Sequence, residues 1–306
     1  TDRGMGSDYG LGLGLLMNVL SLFDGMSCGQ IALNQLGFKI DNYFASEIEP
    51  ASMKVAKHNF PNTIHIGDVT KVKGSELSKI DLLIGGSPCQ GFSFAGKQLN
   101  FNDERSVLFF EFVRLLKETN PKYFLLENVK MKQESEDVIS DYLGVKPIII
   151  NSSLVSAQNR IRLYWTNIPN ITLPEDKGIL LKDVIYDDNY KVFTDIRITN
   201  TKKRTKNYVK WDLSGKQYWS QQDRAYYKEG KICTLPKAHP SNKLNILLDY
   251  EKDIYRRLHP IEAERCQTVP DNYTDCVPTN KRLEMLGNGW TVEVIKHIFR
   301  NMNELS

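Results

Sequence analysis

Short apolar runs that end on glycine or an acid recur through the first half of the chain, with amphipathic stretches between them. Met17-Asn18-Val19-Leu20-Ser21-Leu22 leads into Phe23-Asp24-Gly25, and Tyr43-Phe44-Ala45-Ser46 ends in Glu47. Ile64-His65-Ile66 ends at Gly67-Asp68, Ile80-Asp81-Leu82-Leu83-Ile84 at Gly85-Gly86, and Tyr123-Phe124-Leu125-Leu126 at Glu127-Asn128-Val129. Each run is short, apolar and bounded by turn residues, which predicts a buried strand. Between them, Ile31, Ala32 and Leu36 predict a helix stopped by Gly37, and Leu108, Phe109, Phe112, Leu115 and Leu116 mark an amphipathic helix. Strands alternating with helices predict an α/β fold with a mostly parallel sheet, whose ligands bind at the carboxyl ends of the strands. Pro147–Ile150 and Leu163–Thr166 predict a hairpin pair, and Arg160, Arg162 and Tyr164 alternate onto one face of its second strand. Val294, Ile295, Ile298, Phe299 and Met302 predict a last amphipathic helix, packed beside the first strand.

Composition narrows the class. With 306 residues, 41% hydrophobic and 25% charged, the chain is an ordinary globular protein of one large or two small domains. Cys28, Cys89, Cys233, Cys266 and Cys276 are an odd, scattered set without Cys-x-x-Cys spacing. This argues against a disulfide scaffold or a zinc site and for a reducing, cytoplasmic compartment. No run reaches the roughly 18 apolar residues of a membrane span. Residues 1–16 are glycine-rich and read as an appended or disordered leader, with Met17 as the start. Gly10, Gly12 and Gly14 imitate a dinucleotide fingerprint, but no strand precedes them.

The candidate chemistry gathers at the strand ends. Cys89, in Gly85-Gly86-Ser87-Pro88-Cys89-Gln90-Gly91, sits where a central strand gives way to a polar loop. A free thiol has a pKa of about 8.5 and is already a strong nucleophile, although most lone cysteines are structural. The glycine turn after the first strand suits close approach of a nucleotide-type ligand, and taken alone it could equally serve a flavin or a nicotinamide cofactor. Glu47 lies about 20 positions on, where an acid takes ribose hydroxyls. No phosphate-binding Gly-x-x-x-x-Gly-Lys-Ser/Thr loop is present, which argues against an NTP ligand. Three such strand ends beside a nucleophile fit an adenosyl cofactor. Glu127 would put a carboxylate at the same edge.

From about residue 183 the alternation breaks. Residues 197–231 hold ten Lys or Arg against three Asp or Glu, interleaved with Tyr208, Trp211, Tyr218, Trp219, Tyr226 and Tyr227. Net charge is only +3, so the local concentration matters more than the total. Cations among planar side chains suit phosphate and base contacts, and Gln221, Gln222 and Arg224 are side chains that read purine edges.

In order and spacing, Phe23-Asp24-Gly25, Glu47, Asp68, Pro88-Cys89-Gln90, Glu127-Asn128-Val129 and Gln158-x-Arg160-x-Arg162 resemble the C5-cytosine DNA methyltransferases. So do Arg257-Leu258-His259-Pro260 through Gln267 and Leu286-Gly287-Asn288-Gly289; together these motifs span nearly all of 17–300. Ser27-Cys28 replaces the family's usual Gly-Gly; with Trp290 it is similar to the animal de novo branch, whereas the loop after Cys89 looks bacterial or phage-like. The resemblance implies a Rossmann-like S-adenosylmethionine-dependent methyltransferase fold. A catalytic domain over 17–182 would be followed by a target-recognition domain over 183–250 and a return to the catalytic domain over 251–306.

The resemblance also implies the roles. Cys89 would add to C6 of a flipped cytosine, Glu127 with Asn128 beside it would serve N3 and the exocyclic amine, and Arg160 and Arg162 would hold O2 and the cysteine region. S-adenosylmethionine would become S-adenosylhomocysteine. Phe23 and Ile48 would pack on its adenine, Asp68 would take the adenine amine, Glu47 the ribose, and Asn288 would border the methionine end; Asp24, Gly25, Pro88 and Leu108 complete the contacts. Double-stranded DNA is the implied partner. The lid at 90–107 would touch it through Gln90, Ser93, Lys97 and Arg105, the insertion through Lys202, Lys203, Gln221, Gln222 and Arg224, and Thr234 would meet the backbone near the flipped nucleotide. A monomer acting on DNA is expected, no metal is, and a cognate restriction endonuclease fits as a further partner. The same chemistry on tRNA, a non-catalytic DNA-binding paralogue and a nicotinamide oxidoreductase are the alternatives.

Overall fold

A computed structural model describes residues 16–87, 104–193, 202–206, 208–211, 224–237, 244–252 and 254–302. Its first half is one seven-stranded sheet built from β1 (Met17–Leu22), β2 (Ile40–Ser46), β3 (Ile64–His65), β4 (Leu82–Gly85), β5 (Tyr123–Val129), β6 (Ile148–Asn151) and β7 (Ile161–Thr166). The strands lie in the order β3-β2-β1-β4-β5-β7-β6. β1 to β5 pair in parallel and β7 runs antiparallel to both neighbours, so the predicted hairpin pair forms the reversed edge.

Side-chain alternation sends the two sets of apolar residues to opposite faces. Leu20, Leu22, Leu83, Phe124, Leu126 and Trp165 meet Phe109 and Phe112 of α3 (Glu104–Thr119) and Ile139 of α4 (Gln133–Leu143). Val19, Ala45, Leu82, Ile84, Leu125 and Tyr164 meet Ile31 and Leu33 of α1 (Cys28–Gln35), Val55 of α2 (Pro50–Asn59) and the C-terminal helix α7 (Val292–Phe299). α7 packs chiefly on α1, within the same apolar cluster as this face of the sheet. α3 starts four residues before its first apolar anchor, Leu108, because Glu104–Val107 continue the same helical turn.

A second sheet contains β8 (Val192–Phe193), β9 (Lys202–Arg204), β10 (Tyr208–Trp211), β11 (Arg224–Tyr226), β12 (Asn245–Asp249) and β13 (Ile254–Arg257), in the order β8-β13-β12-β11-β10-β9. β13 reaches Arg257, past the residue-250 boundary expected from the sequence, and delivers the chain directly into α5 (Pro260–Cys266). α6 (Thr279–Asn288) follows and carries Asn288 as its last residue.

Between β11 and β12 the chain passes beside the segment that joins β6 to β7. Asn159 N–H donates to Ile232 O and Ile232 N–H to Ala157 O, both at 2.8 Å. Beside them the Lys231 ammonium donates to the carbonyls of Ser153, Ser156 and Ile179 at 2.6–3.0 Å. Among the described residues no helix is long and apolar enough to cross a membrane.

Candidate active site

Strand register assembles the site. Leu22 pairs with Ser46 of β2 and Gly85 of β4, and Gly85 pairs with Leu126 of β5. The residue after each of these, namely Phe23, Glu47, Gly86 and Glu127, therefore falls in one row at the carboxyl edge. Sheet order reverses between β1 and β4, which opens the crevice where α/β sheets bind ligands. A cavity of about 380 Å³ occupies it, walled by Phe23 to Gly25, Glu47, Gly86, Glu127, Arg160, Arg162 and the Gly287–Trp290 segment.

The first wall is a strained turn. Phe23, Gly25 and Ser27 have φ of 56°, 58° and 63°, and such left-handed residues concentrate at ligand sites. Ser27, standing where the resembling family has glycine, is held there by its hydroxyl donating to Asp24. Ser21 Oγ and Tyr43 OH also donate to Asp24, at 2.6 and 2.8 Å. Burial nevertheless pushes the Asp24 carboxyl up to about 6. Glu47 accepts from Gly25 N–H at 2.8 Å and from Ile48 and Glu49 N–H at 2.7 and 2.8 Å, so it pins this turn to the end of β2. Cys28, next to Ser27, is buried and its thiol is pushed up to about 12, mainly by desolvation, which marks it as structural.

Glu127 lies within β5 rather than beyond its end, and is 8% exposed. Its Oε1 sits 3.0 Å from Arg162 Nε, and its Oε2 accepts from the Trp290 indole at 2.9 Å. Arg162 reaches it diagonally, because Glu127 pairs with Tyr164, two residues further along β7. Asn128 Nδ2 donates to Ser87 O and Oγ at 3.3 and 3.2 Å, tying β5 to the segment that leads toward position 89. Arg160 is 2% exposed and donates to Gly287 O and Gly289 O at 3.1 and 2.8 Å, where it satisfies carbonyls at the end of α6. Burial and the neighbouring Arg162 lower its pKa to about 10, and its Nη1 has no hydrogen-bond partner among the described residues.

Gln158 and Gln267 form the buried joint behind these arginines. Gln158 Nε2 donates to Cys266 O and Gln267 Oε1 at 2.6 and 2.9 Å, while Gln267 Nε2 donates to Leu286 O at 2.5 Å. The three late sequence motifs thus meet through two side-chain amides. Gly287 is packed so closely that a Cβ there would lie 2.1 Å from Pro236 O.

The other expected contacts are spread more widely. Phe23 and Leu108 pack on the same apolar cluster, and Phe23 also lines the cavity with Asn288. Ile48 is 72% exposed and is not among the residues that line it. Asp68 caps the turn after β3 by accepting from Thr70 N–H and Oγ1 at 3.0 and 2.8 Å, and these bonds hold its carboxyl below the usual range. Thr234 donates to Asn159 O at 2.7 Å, near the arginine strand. The Arg224 guanidinium stacks 4.8 Å from the Tyr208 ring on the second sheet. Arg105 falls in the first turn of α3, and Lys202 and Lys203 lie on β9. Pro88, Cys89, Gln90, Ser93, Lys97, Gln221 and Gln222 lie outside the described residues.

Trp290, Gln158 and Gln267 stand in or beside sequence motifs that give them no role of their own. Lys281, which bridges to Glu49 at 3.1 Å beside the cavity, carries no signal in the sequence because it reads as an ordinary solvated position on a polar helix.

The family profile for C-5 cytosine-specific DNA methylases matches residues 17–170 and 156–304. The type II methyltransferase M1.ScrFI of Lactococcus lactis subsp. cremoris is 30% identical over 320 residues, covering 94% of this chain and 78% of that protein. M.NgoBV of Neisseria gonorrhoeae, also a type II methyltransferase, is 44% identical over 192 residues, covering 54% of this chain and 45% of its own. The solved structure of the Entamoeba histolytica methyltransferase EhMeth superposes with a TM-score of 0.72 at 17% identity, covering 95% of this chain and 100% of that one, which speaks to the fold. Matched from β1 to the C-terminal helix, the chain belongs to the C-5 cytosine-specific DNA methylase family and is a methyltransferase.

Proposed function

We propose that the protein methylates C5 of cytosine in double-stranded DNA, using S-adenosylmethionine. The observation that carries this reading is the alignment of Phe23, Glu47, Gly86 and Glu127 in one row, which puts the turn pinned by Glu47 beside a carboxylate clamped by Arg162. The site fits the cofactor: it combines a left-handed turn, an acid at the end of β2 and the apolar wall of Phe23. Phe23, Asp24, Gly25, Glu47 and Asn288 would hold it. When bound it supplies an electrophilic methyl group.

The chain's own residues make the poor nucleophile C5 reactive. Cys89 adds to C6 as the thiolate and turns the ring into an enamine, while Glu127 hydrogen-bonds or protonates N3 and accepts from the exocyclic amine. Arg162 reaches O2 from beside Glu127, and Arg160 holds the end of α6 against the site. C6 is inaccessible within a stacked duplex, so the base must be flipped out at a cost of about a few kcal/mol. A base or water then takes the C5 proton and the thiol leaves.

The cofactor assignment is tested by Glu47→Ala. The variant should bind S-adenosylmethionine more weakly by about 1.5–3 kcal/mol, the worth of hydrogen bonds to a charged group. Asp68→Ala should weaken it in the same direction. Titration calorimetry giving wild-type affinity for both would move the cofactor elsewhere.

The second sheet, with the basic stretch around it, would choose the sequence. Neutralising Lys202 and Lys203 on β9 should weaken binding to all duplexes alike. The plot of log affinity against log salt should become shallower by about 0.9 for each phosphate that is no longer neutralised. Replacing Gln221, Gln222 or Arg224 should instead change which site is methylated, at about 1–3 kcal/mol per base contact. Of the three, Arg224 would have to leave its stack on the Tyr208 ring to reach a base. Methylation-site sequencing on a random library, with all three replaced by alanine, sinks this assignment if the preferred site is unaltered.

A further inference from the structure

We propose that Trp290 is a positioning residue for Glu127, with its indole N–H and the Arg162 guanidinium acting as the two jaws of a clamp. This rests on the reading of Glu127 as the group that serves cytosine N3 and the exocyclic amine. The two contacts fall on different oxygens: Arg162 Nε lies 3.0 Å from Oε1, and Trp290 Nε1 is 2.9 Å from Oε2. A carboxylate has about four lone-pair sites, and the indole N–H and the guanidinium are donors only. Each jaw therefore takes one site on its own oxygen and leaves the rest of that oxygen for the base. The proposed chemistry needs both oxygens, one toward N3 and one toward the exocyclic amine.

The packing shows that the indole is held for this contact. It occupies a slot between Gly86, after β4, and Gly29 in α1. A Cβ on Gly86 would come within 2.9 Å of Trp290 Nε1 and 3.0 Å of Glu127 Oε2, and a Cβ on Gly29 would lie 3.6 Å from Trp290 Cζ3. Any side chain at 86 would therefore wedge into the hydrogen bond itself. Without the indole, the terminal torsion of Glu127 has a broad, roughly two-fold profile and only one fixed oxygen. The carboxylate would still be present but not aimed.

Trp290→Phe keeps an aromatic ring in the slot and removes the donor together with the second ring. It should lower the single-turnover rate of methyl transfer to a cytosine duplex about tenfold or more, the loss expected for one hydrogen bond to a charged group. S-adenosylmethionine affinity by calorimetry and Tm should stay at wild-type values. Benzothienylalanine at 290 has sulfur in place of the N–H and the full bicyclic shape; it should give the same rate loss, and it decides the matter if Trp290→Phe folds poorly. A wild-type rate in the folded variant overturns the proposal, and so does a loss confined to cofactor affinity. Glu127→Gln, measured in parallel, separates the two readings. If it retains full activity, the role of Glu127 is wrong; if it is inactive while the Trp290 variants are not, only the clamp is wrong.

Discussion

Cys89→Ser is expected to abolish methyl transfer and, with it, covalent capture on DNA carrying 5-fluorocytosine. Addition of the thiolate to C6 is the step that makes C5 reactive, and a serine hydroxyl is a far weaker nucleophile at neutral pH. Loss of a covalent nucleophile should lower the rate by about a thousandfold or more. The fluorine substitution isolates this step, because a C5 fluorine cannot leave as a proton and the adduct cannot resolve. The wild-type protein should therefore run as a protein–DNA conjugate on a denaturing gel, and the serine variant should not. β4 and the buried Ser87, gripped by Asn128, bring the chain to within two residues of position 89. Cofactor affinity should survive, since the cofactor's expected contacts lie chiefly on the β1 and β2 side. An adduct that persists in Cys89→Ser would remove Cys89 from the mechanism.

Arg256→Ala should be the most destabilising single change outside the site. Arg256 and Glu262 are both fully buried, and they meet at 2.8 and 2.9 Å through paired guanidinium and carboxylate contacts. Glu262 also accepts from Tyr186 N–H and His259 N–H, so it holds the start of α5 as well. Breaking a buried pair by removing one partner leaves an uncompensated charge and costs about 3–5 kcal/mol. Against total stabilities of about 5–15 kcal/mol that is a large share. The pair joins β13 of the second sheet to α5, whose end carries Gln267 and hence the joint with Gln158. Urea unfolding should show the loss as a lower midpoint, and a change under about 1 kcal/mol would mean that water reaches Glu262 in the variant. Replacing the pair by apolar residues is not an equivalent test, because the two backbone donors on Glu262 would lose their acceptor.

Much of the first half was readable because its signals are local. Strand runs of three to six residues, turn residues after each and amphipathic helices between them follow from side-chain alternation and turn chemistry, and they outline the sheet before any contact is known. The order of Phe23, Glu47, Asp68, Glu127 and the Arg160–Arg162 pair along the chain carried the family resemblance. The second sheet was not readable as strands. Its elements are two to five residues long and rich in Lys and Arg, so neither length nor alternation rises above a basic loop, and the parallel pairing of β11 with β12 has no local signature.

The sequence by itself determined which residues are candidates for the chemistry and that most of them gather at strand ends of one mostly parallel sheet, because those properties depend on residue type and on neighbours along the chain. Only the tertiary structure decided how they meet. Register put Phe23, Glu47, Gly86 and Glu127 in one row, since strand pairing is fixed by the whole sheet rather than by any one strand. It placed Glu127 inside β5, joined Gln158 to Gln267, and brought the Trp290 indole onto a carboxylate 163 positions away. Contacts at such separations form only when packing closes the chain on itself, and no periodicity or motif spacing encodes which side chain will be opposite.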